Sequence, residues 1–154
     1  MNAAENITIR PFQSENQAEA KKLILAGLAE HWGTLDPSKN PDLDNISLNY
    51  ADGLFLIALE NNKIIGTGAL VPKSADMAEI VRMSVAAHTR RRGLGKRILR
   101  ELCEYAQQNG YKKLVLETTE TWHEVIKFYE EFGFQITHDL DGDVYFALDL
   151  SHFR

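Results

Sequence analysis

The chain has 154 residues, 44% of them apolar, with 17 Lys and Arg against 22 Asp and Glu for a formal charge of −5. That length is one ordinary domain (residues 1–154), able to bury roughly two thirds of its unfolded surface without a disulfide or metal staple, and the single cysteine cannot pair internally. No CxxC or HxxxH spacing, membrane-length apolar run or signal-peptide pattern occurs and the balance is acidic, so the expectation is a cytoplasmic protein with no metal, membrane or nucleic-acid partner.

In chain order, TIRPFQ from Thr8 reads as a strand. Ser14 with Gln17 matches a capping box, and Ala18, Leu23, Ile24, Leu25 and Leu28 predict a helix to about Glu30. Residues 31–52 contain Asp36-Pro37 and Asn40-Pro41 and read as a loop, with a short helix near 43–50; by length this is a lid or substrate loop. GLFLIALE and KIIGTGALV, joined by Asn61-Asn62, predict a tight hairpin, and residues 78–85 a third consecutive strand. Leu94, Ile98, Leu102, Cys103 and Ala106 fall at helical spacing before a stop at Gly110. KLVLET is a buried strand. Thr121 and Glu124 match a second capping box, opening a helix through Val125, Ile126, Tyr129 and Phe132 that ends at Gly133. Two strands around Asp141-Gly142 close the chain. The fold class is mixed α/β (α+β), a central sheet of six to seven strands flanked by helices.

Arg90, Arg91, Arg92, Lys96 and Arg97 lie within eight positions; without them the other residues would carry a charge near −10. Arg90 to Gly95 reads RxxGxG directly before an amphipathic helix. A helix start already carries unpaired N–H groups and about half a positive charge, so cations there are unfavourable unless an anion neutralises both. Glycines at 93 and 95 admit close approach of such an anion. The other reading is a tight turn with a solvated basic face.

The strand AEIVRMSV, the stretch RRRGLGKRILRELCEYA, the strand LVLET and the segment VIKFYEEFGF resemble the GNAT superfamily of acyl-CoA-dependent N-acetyltransferases. With the hairpin, the resemblance covers about residues 53–149. It implies a splay between the two central strands and acetyl-CoA as co-substrate. Arg90, Arg91, Arg92, Gly93, Leu94, Gly95 and Lys96 would then form the turn for the pyrophosphate. Backbone groups of Met83, Ser84 and Val85 would bind the acyl and pantetheine end. Tyr129 would contact the cofactor sulfur and act as general acid; without the resemblance it reads as core packing. Glu79 and Glu117 match two positions at which members keep a general base, and a carboxylate can take the proton an amine must lose. Read without the family, Glu79 is a strand-end carboxylate paired with a cation such as Arg82, and Glu117 a solvated one. Many members carry an asparagine seven residues before the tyrosine, where this chain has Trp122. Trp122 then lines the substrate or acyl pocket, or is an apolar staple at the helix start. Cys103 reads as a buried hydrophobe. The function implied is acetyl transfer to a small-molecule or peptide amine, the alternative a non-catalytic acyl-CoA-binding module. Sheet edges in such domains often pair, so a homodimer is a further expectation.

Overall fold

Strand residues that alternate between two apolar faces build a seven-stranded sheet with a core on each side. The computed structural model describes residues 6–33, 36–90 and 93–153. Its elements are β1 (Ile7–Pro11), α1 (Gln17–Trp32), α2 (Ile46–Asn49), β2 (Leu54–Glu60), β3 (Lys63–Pro72), β4 (Met77–Val85), α3 (Leu94–Gln108), β5 (Lys113–Thr119), α4 (His123–Phe132), β6 (Gln135–Leu140) and β7 (Asp143–Asp149). The sheet order is β1-β2-β3-β4-β5-β7-β6, with β4 and β5 parallel and every other pair antiparallel.

Asn61 and Asn62 both take left-handed backbone angles, φ 53° and 64°. Two consecutive positive φ values give the turn whose twist matches a hairpin, as the Asn-Asn pair predicts. Asp141 and Gly142, φ 53° and 88°, do the same between β6 and β7.

Two caps differ from expectation. The capping box before α1 is made by Gln13 and Asn16, across a short 3₁₀ turn, Ser14–Asn16. Gln17 is thereby free to brace the following loop: its side chain accepts from the Ile46 N–H at 2.9 Å and donates to the Leu43 carbonyl at 2.6 Å. The helix also runs on to Trp32. At α4 the N-cap is Trp122 rather than Thr121, without a side-chain cap bond. The Trp122 N–H donates to the Thr119 carbonyl at 3.0 Å, so a turn uses the residues that the box would have needed. The loop is more structured than expected, with 3₁₀ turns at Pro37–Lys39 and Pro41–Asp44 before α2.

One face of the sheet carries α3 and α4. Ile98, Leu99, Leu102, Cys103 and Ala106 of α3 are fully buried there with Leu114 and Leu116 of β5 and Phe146 of β7. Each buried leucine contributes about 1.5–3 kcal/mol. Glycine brings α3 in close, because a Cβ at Gly68 of β3 would lie 2.6 Å from Ile98 and 2.7 Å from the Met83 sulfur. The other face packs α1, α2 and the loop before it through Ala20, Ile24, Leu43, Ile46, Tyr50 and Phe55.

Candidate acyl-transfer site

The pairing of β4 with β5 stops early. Met77, Ala78 and Glu79 oppose Lys113, Leu114 and Val115, and neither strand pairs with the other beyond that point. From Ile80 and Leu116 onward the facing edges diverge, leaving a gap bordered by backbone groups that no ladder satisfies. A splay between these strands was expected only from the family resemblance.

A bulge decides which groups border the gap. The Lys73 N–H donates to the Met77 carbonyl at 2.9 Å, so 73 and 77 are a hydrogen-bonded pair of the β3–β4 ladder. Such pairs recur at every second residue, which in an unbroken ladder would match Ile65 with Val85. Ala69 opposes Val81 but Thr67 opposes Ser84, so Arg82 and Met83 together face Gly68. The extra residue passes the bond to Ala86, whose N–H reaches the Ile65 carbonyl at 2.8 Å. Val85 therefore turns its N–H and C=O away from β3 and toward the gap. Side chains switch as well: Ala78 and Ile80 lie in the α3-side core before the bulge, Met83 and Val85 after it.

Arg82 carries the bulge at φ 54°. A non-glycine residue in that region costs about 1–2 kcal/mol. Its guanidinium donates from Nη2 to Asp42 Oδ1 (2.6 Å) and Asn40 Oδ1 (3.1 Å), and from Nε to Asp42 Oδ2 (2.9 Å). The Tyr50 hydroxyl donates to Asp42 Oδ2 at 2.5 Å, and Thr67 Oγ1 to the Arg82 carbonyl at 2.8 Å. Burial alone would raise the Asp42 carboxyl, but hydrogen bonds from Arg82 and Tyr50 outweigh it and hold the group below its ordinary value. Burial and the Asp42 bond push the Tyr50 phenol up to about 12. The Asp42 contribution to stability is thus present above the ordinary carboxylate range and lost as pH falls through the depressed value. Arg82 is not the partner of Glu79, contrary to the sequence reading. Lys73 is, at 3.5 Å across the β3–β4 hairpin.

At the open end of β4 stands the start of α3. Gly93 is its N-cap, left-handed at φ 77°, with no side-chain cap bond and no acidic residue in the first turn. Gly95 lies where three elements meet: a Cβ there would be 3.5 Å from the Phe128 ring of α4 and 3.7 Å from Val85. Lys96 is exposed, whereas Leu94 is buried in the core and contributes only backbone to the turn. Arg90 is held by both carboxylate oxygens of Glu30 near the end of α1. The expectations for Arg91 and Arg92 fall outside the described residues.

The candidate acid and bases lie on opposite faces of the sheet. Tyr129 is 6% exposed and packs in the α3–α4 core against Phe128, Phe134 and Phe146. Burial pushes its phenol well above the usual range, so it keeps its proton. No hydrogen bond is made by its hydroxyl among the described residues, yet none of their side-chain oxygens is both sealed from solvent and unpaired. The hydroxyl therefore keeps some solvent contact. Glu79 and Val81 share the α1 face of β4, and Glu79 sits opposite Val115 at the vertex where the gap begins. Glu117, two residues beyond Val115, shares that face and is exposed. It opposes Tyr145 on β7, whose phenol its carboxylate raises. Cys103 is buried, its thiol pushed up to about 12, which makes it inert as a nucleophile. Among the described residues no group of three or more His, Cys, Asp or Glu side chains could hold a metal ion, and no helix is long and apolar enough to cross a membrane.

A family model described as the acetyltransferase (GNAT) family matches residues 18–134, well over half the chain. The chain belongs to the GNAT family. It is 36% identical over 83 residues to an uncharacterised N-acetyltransferase of Bacillus subtilis, YsnE, covering 53% of this chain and 55% of that one. The chain spans about half the length of the first curated relatives it matches. In structure it resembles a GNAT-family acetyltransferase of Staphylococcus aureus (TM-score 0.86, 24% identity, 94% of this chain and 99% of that one). It also resembles the PaiA N-acetyltransferase of Thermoplasma acidophilum, determined in complex with coenzyme A (TM-score 0.83, 18% identity, 93% and 98% covered).

Trp122, where the resemblance implies an asparagine, finds its partner on α1. Trp122 stacks on His31 with ring centroids 4.1 Å apart and meets Trp32 at 5.4 Å. A Cβ at Gly27 would lie 3.0 Å from Ser84 Oγ, so the last turns of α1 pass from β4 to the start of α4. The end of α1 thus crosses the mouth of the gap on the Glu79–Glu117 face. Helical periodicity gives out before His31 and Trp32, so nothing in the sequence places them beside Trp122; their only signal is two aromatic rings at a helix end.

Proposed function

We propose that the protein transfers an acetyl group from acetyl-CoA to a primary amine by direct attack within a ternary complex. The observation that carries this reading is the β4–β5 gap, which has an uncapped helix N-terminus at its open end. Acetyl-CoA fits the residues present: Gly93 and Gly95 leave the first-turn N–H groups of α3 open to phosphate, and Lys96 adds positive charge. The Val85 N–H, turned into the gap, is a donor for the thioester carbonyl. Glu79 or Glu117 would take the proton that an alkylammonium must lose before its nitrogen can attack the carbonyl carbon. As the C–S bond breaks, Tyr129 would supply the proton that the coenzyme A thiolate needs. Base and acid then act from opposite faces through one opening. The acidic remainder of the chain suits a cationic acceptor.

The test is thiol release from acetyl-CoA against a panel of amino acids, polyamines, aminoglycosides and peptides. Release that requires an amine supports the enzyme. Acetyl-CoA binding with no release for any amine would instead support a non-catalytic acyl-CoA-binding module.

Arg90 allows a second test. Its ion pair with Glu30 is exposed on both sides, 45% and 46%, so it stabilises the fold by about 1 kcal/mol at most. Glu30→Gln should leave the melting temperature nearly unchanged and tighten coenzyme A binding by about two- to five-fold at low salt. Unchanged affinity by calorimetry would remove the Arg90 guanidinium from the phosphate site.

A further inference from the structure

We propose that Asp42 is a positioning residue for acyl transfer: with Asn40 and Tyr50 it holds Arg82, and through Arg82 the bulge that turns the Val85 N–H into the β4–β5 gap. The inference rests on the acetyltransferase reading and gives the loop before α2 a role in the chemistry itself.

Three observations meet at Arg82. Its backbone is left-handed at φ 54° in the middle of a strand, where only glycine is at ease. It forms the extra position of β4, so everything C-terminal to it changes edge and face together. Both oxygens of Asp42 bond its guanidinium, at 2.6 and 2.9 Å, from 40 residues away in the chain. An unfavourable backbone conformation persists when its surroundings over-determine it. Here the surroundings are Thr67 on the carbonyl and the Asp42 carboxylate on the side chain, the latter fixed in turn by Tyr50. An arginine whose Nε and Nη2 donors are already matched by a carboxylate and an amide oxygen serves as a tether. The alternative occupation for such an arginine, gripping an acceptor's carboxylate with the same Nε and Nη2 edge, would require Asp42 to let go.

The two roles separate through glycine. A glycine at position 82 adopts φ 54° without a Cβ penalty, so the bulge no longer needs its tether. The full chain is assayed by calorimetry with acetyl-CoA and with free coenzyme A, and by thiol release with any amine that the panel identifies. Asp42→Ala is expected to lower the preference for acetyl-CoA over coenzyme A about ten-fold, the worth of one hydrogen bond to the carbonyl. It should lower kcat by about 10- to 100-fold and leave the amine KM and the affinity for free coenzyme A unmoved. Asp42→Ala combined with Arg82→Gly should recover most of both losses. An unchanged preference and kcat in Asp42→Ala overturns the proposal. So does a double variant that stays as slow as the single one, with a raised amine KM, because Arg82 then touches the acceptor. Should Asp42→Ala fail to fold, Asp42→Asn keeps one acceptor oxygen at nearly the same shape and carries the same test with a smaller expected fall; no fall overturns it. A wild-type chain that binds no acetyl-CoA would fail the acetyltransferase reading instead.

Discussion

Tyr129→Phe is expected to lower kcat by about 100-fold or more, the low end of what a positioned general acid supplies, while acetyl-CoA affinity stays within about two-fold. The side chain suits the test because shape and chemistry come apart. The ring packs against Phe128, Phe134 and Phe146 and would be retained by phenylalanine. The hydroxyl has no partner among the described residues, so its removal orphans nothing and the melting temperature should not fall. A variant that melts as the wild type does yet turns over slowly assigns the loss to the proton and not to the core. Unchanged turnover would leave Tyr129 as packing, the reading its helical neighbours alone support.

Gly95→Trp is expected to abolish measurable coenzyme A binding, a loss of about 100-fold or more, in a chain that still folds. Two charge-assisted N–H contacts to phosphate at about 1.5–3 kcal/mol each account for a fall of that size. Space rather than backbone angle sets the outcome. A Cβ at 95 meets its nearest neighbours at 3.5 and 3.7 Å, ordinary contact distances, so Gly95→Ala should be tolerated by the fold. An indole has no such room between Phe128 and Val85 and must turn out over the first turn of α3, where phosphate would bind. Calorimetry with coenzyme A, alongside a thermal melt, reads both effects. Retained affinity would move the phosphates elsewhere.

The elements most legible in the sequence were those with a local cause. Asn61-Asn62 announced a turn of two positive φ values, and the stripe from Leu94 to Ala106 announced which face of α3 is buried. The RxxGxG turn from Arg90 to Gly95, with cations where a helix start favours carboxylates, was the residue-level signal for the site. The gap had none, because Ile80 to Val85 and Leu116 to Thr118 read as unbroken strands and only the resemblance pointed to their separation. The bulge was equally hidden: nothing about an arginine at 82 signals φ 54°, since it is imposed by Asp42 from another part of the chain. The pairing of Glu79 with Arg82 failed for the same reason, as the bulge directs Arg82 to the loop and leaves Glu79 to Lys73. Capping at Thr121 failed because local rules compete, and the turn through Thr119 and Trp122 won.

Tyr129 lies under one face of the sheet and Glu79 and Glu117 on the other, so in the proposed reaction the sheet is a partition between the acid and the bases. On the proposed reading, donor and acceptor approach from separate sides and meet only where β4 and β5 part. Residues that choose the amine, at the end of α1 and at Trp122, can then vary without disturbing the α3–α4 side that handles the donor, so long as Asp42 keeps its hold on Arg82. A lineage could exchange one customer for another by editing a single wall, keeping the engine behind it intact.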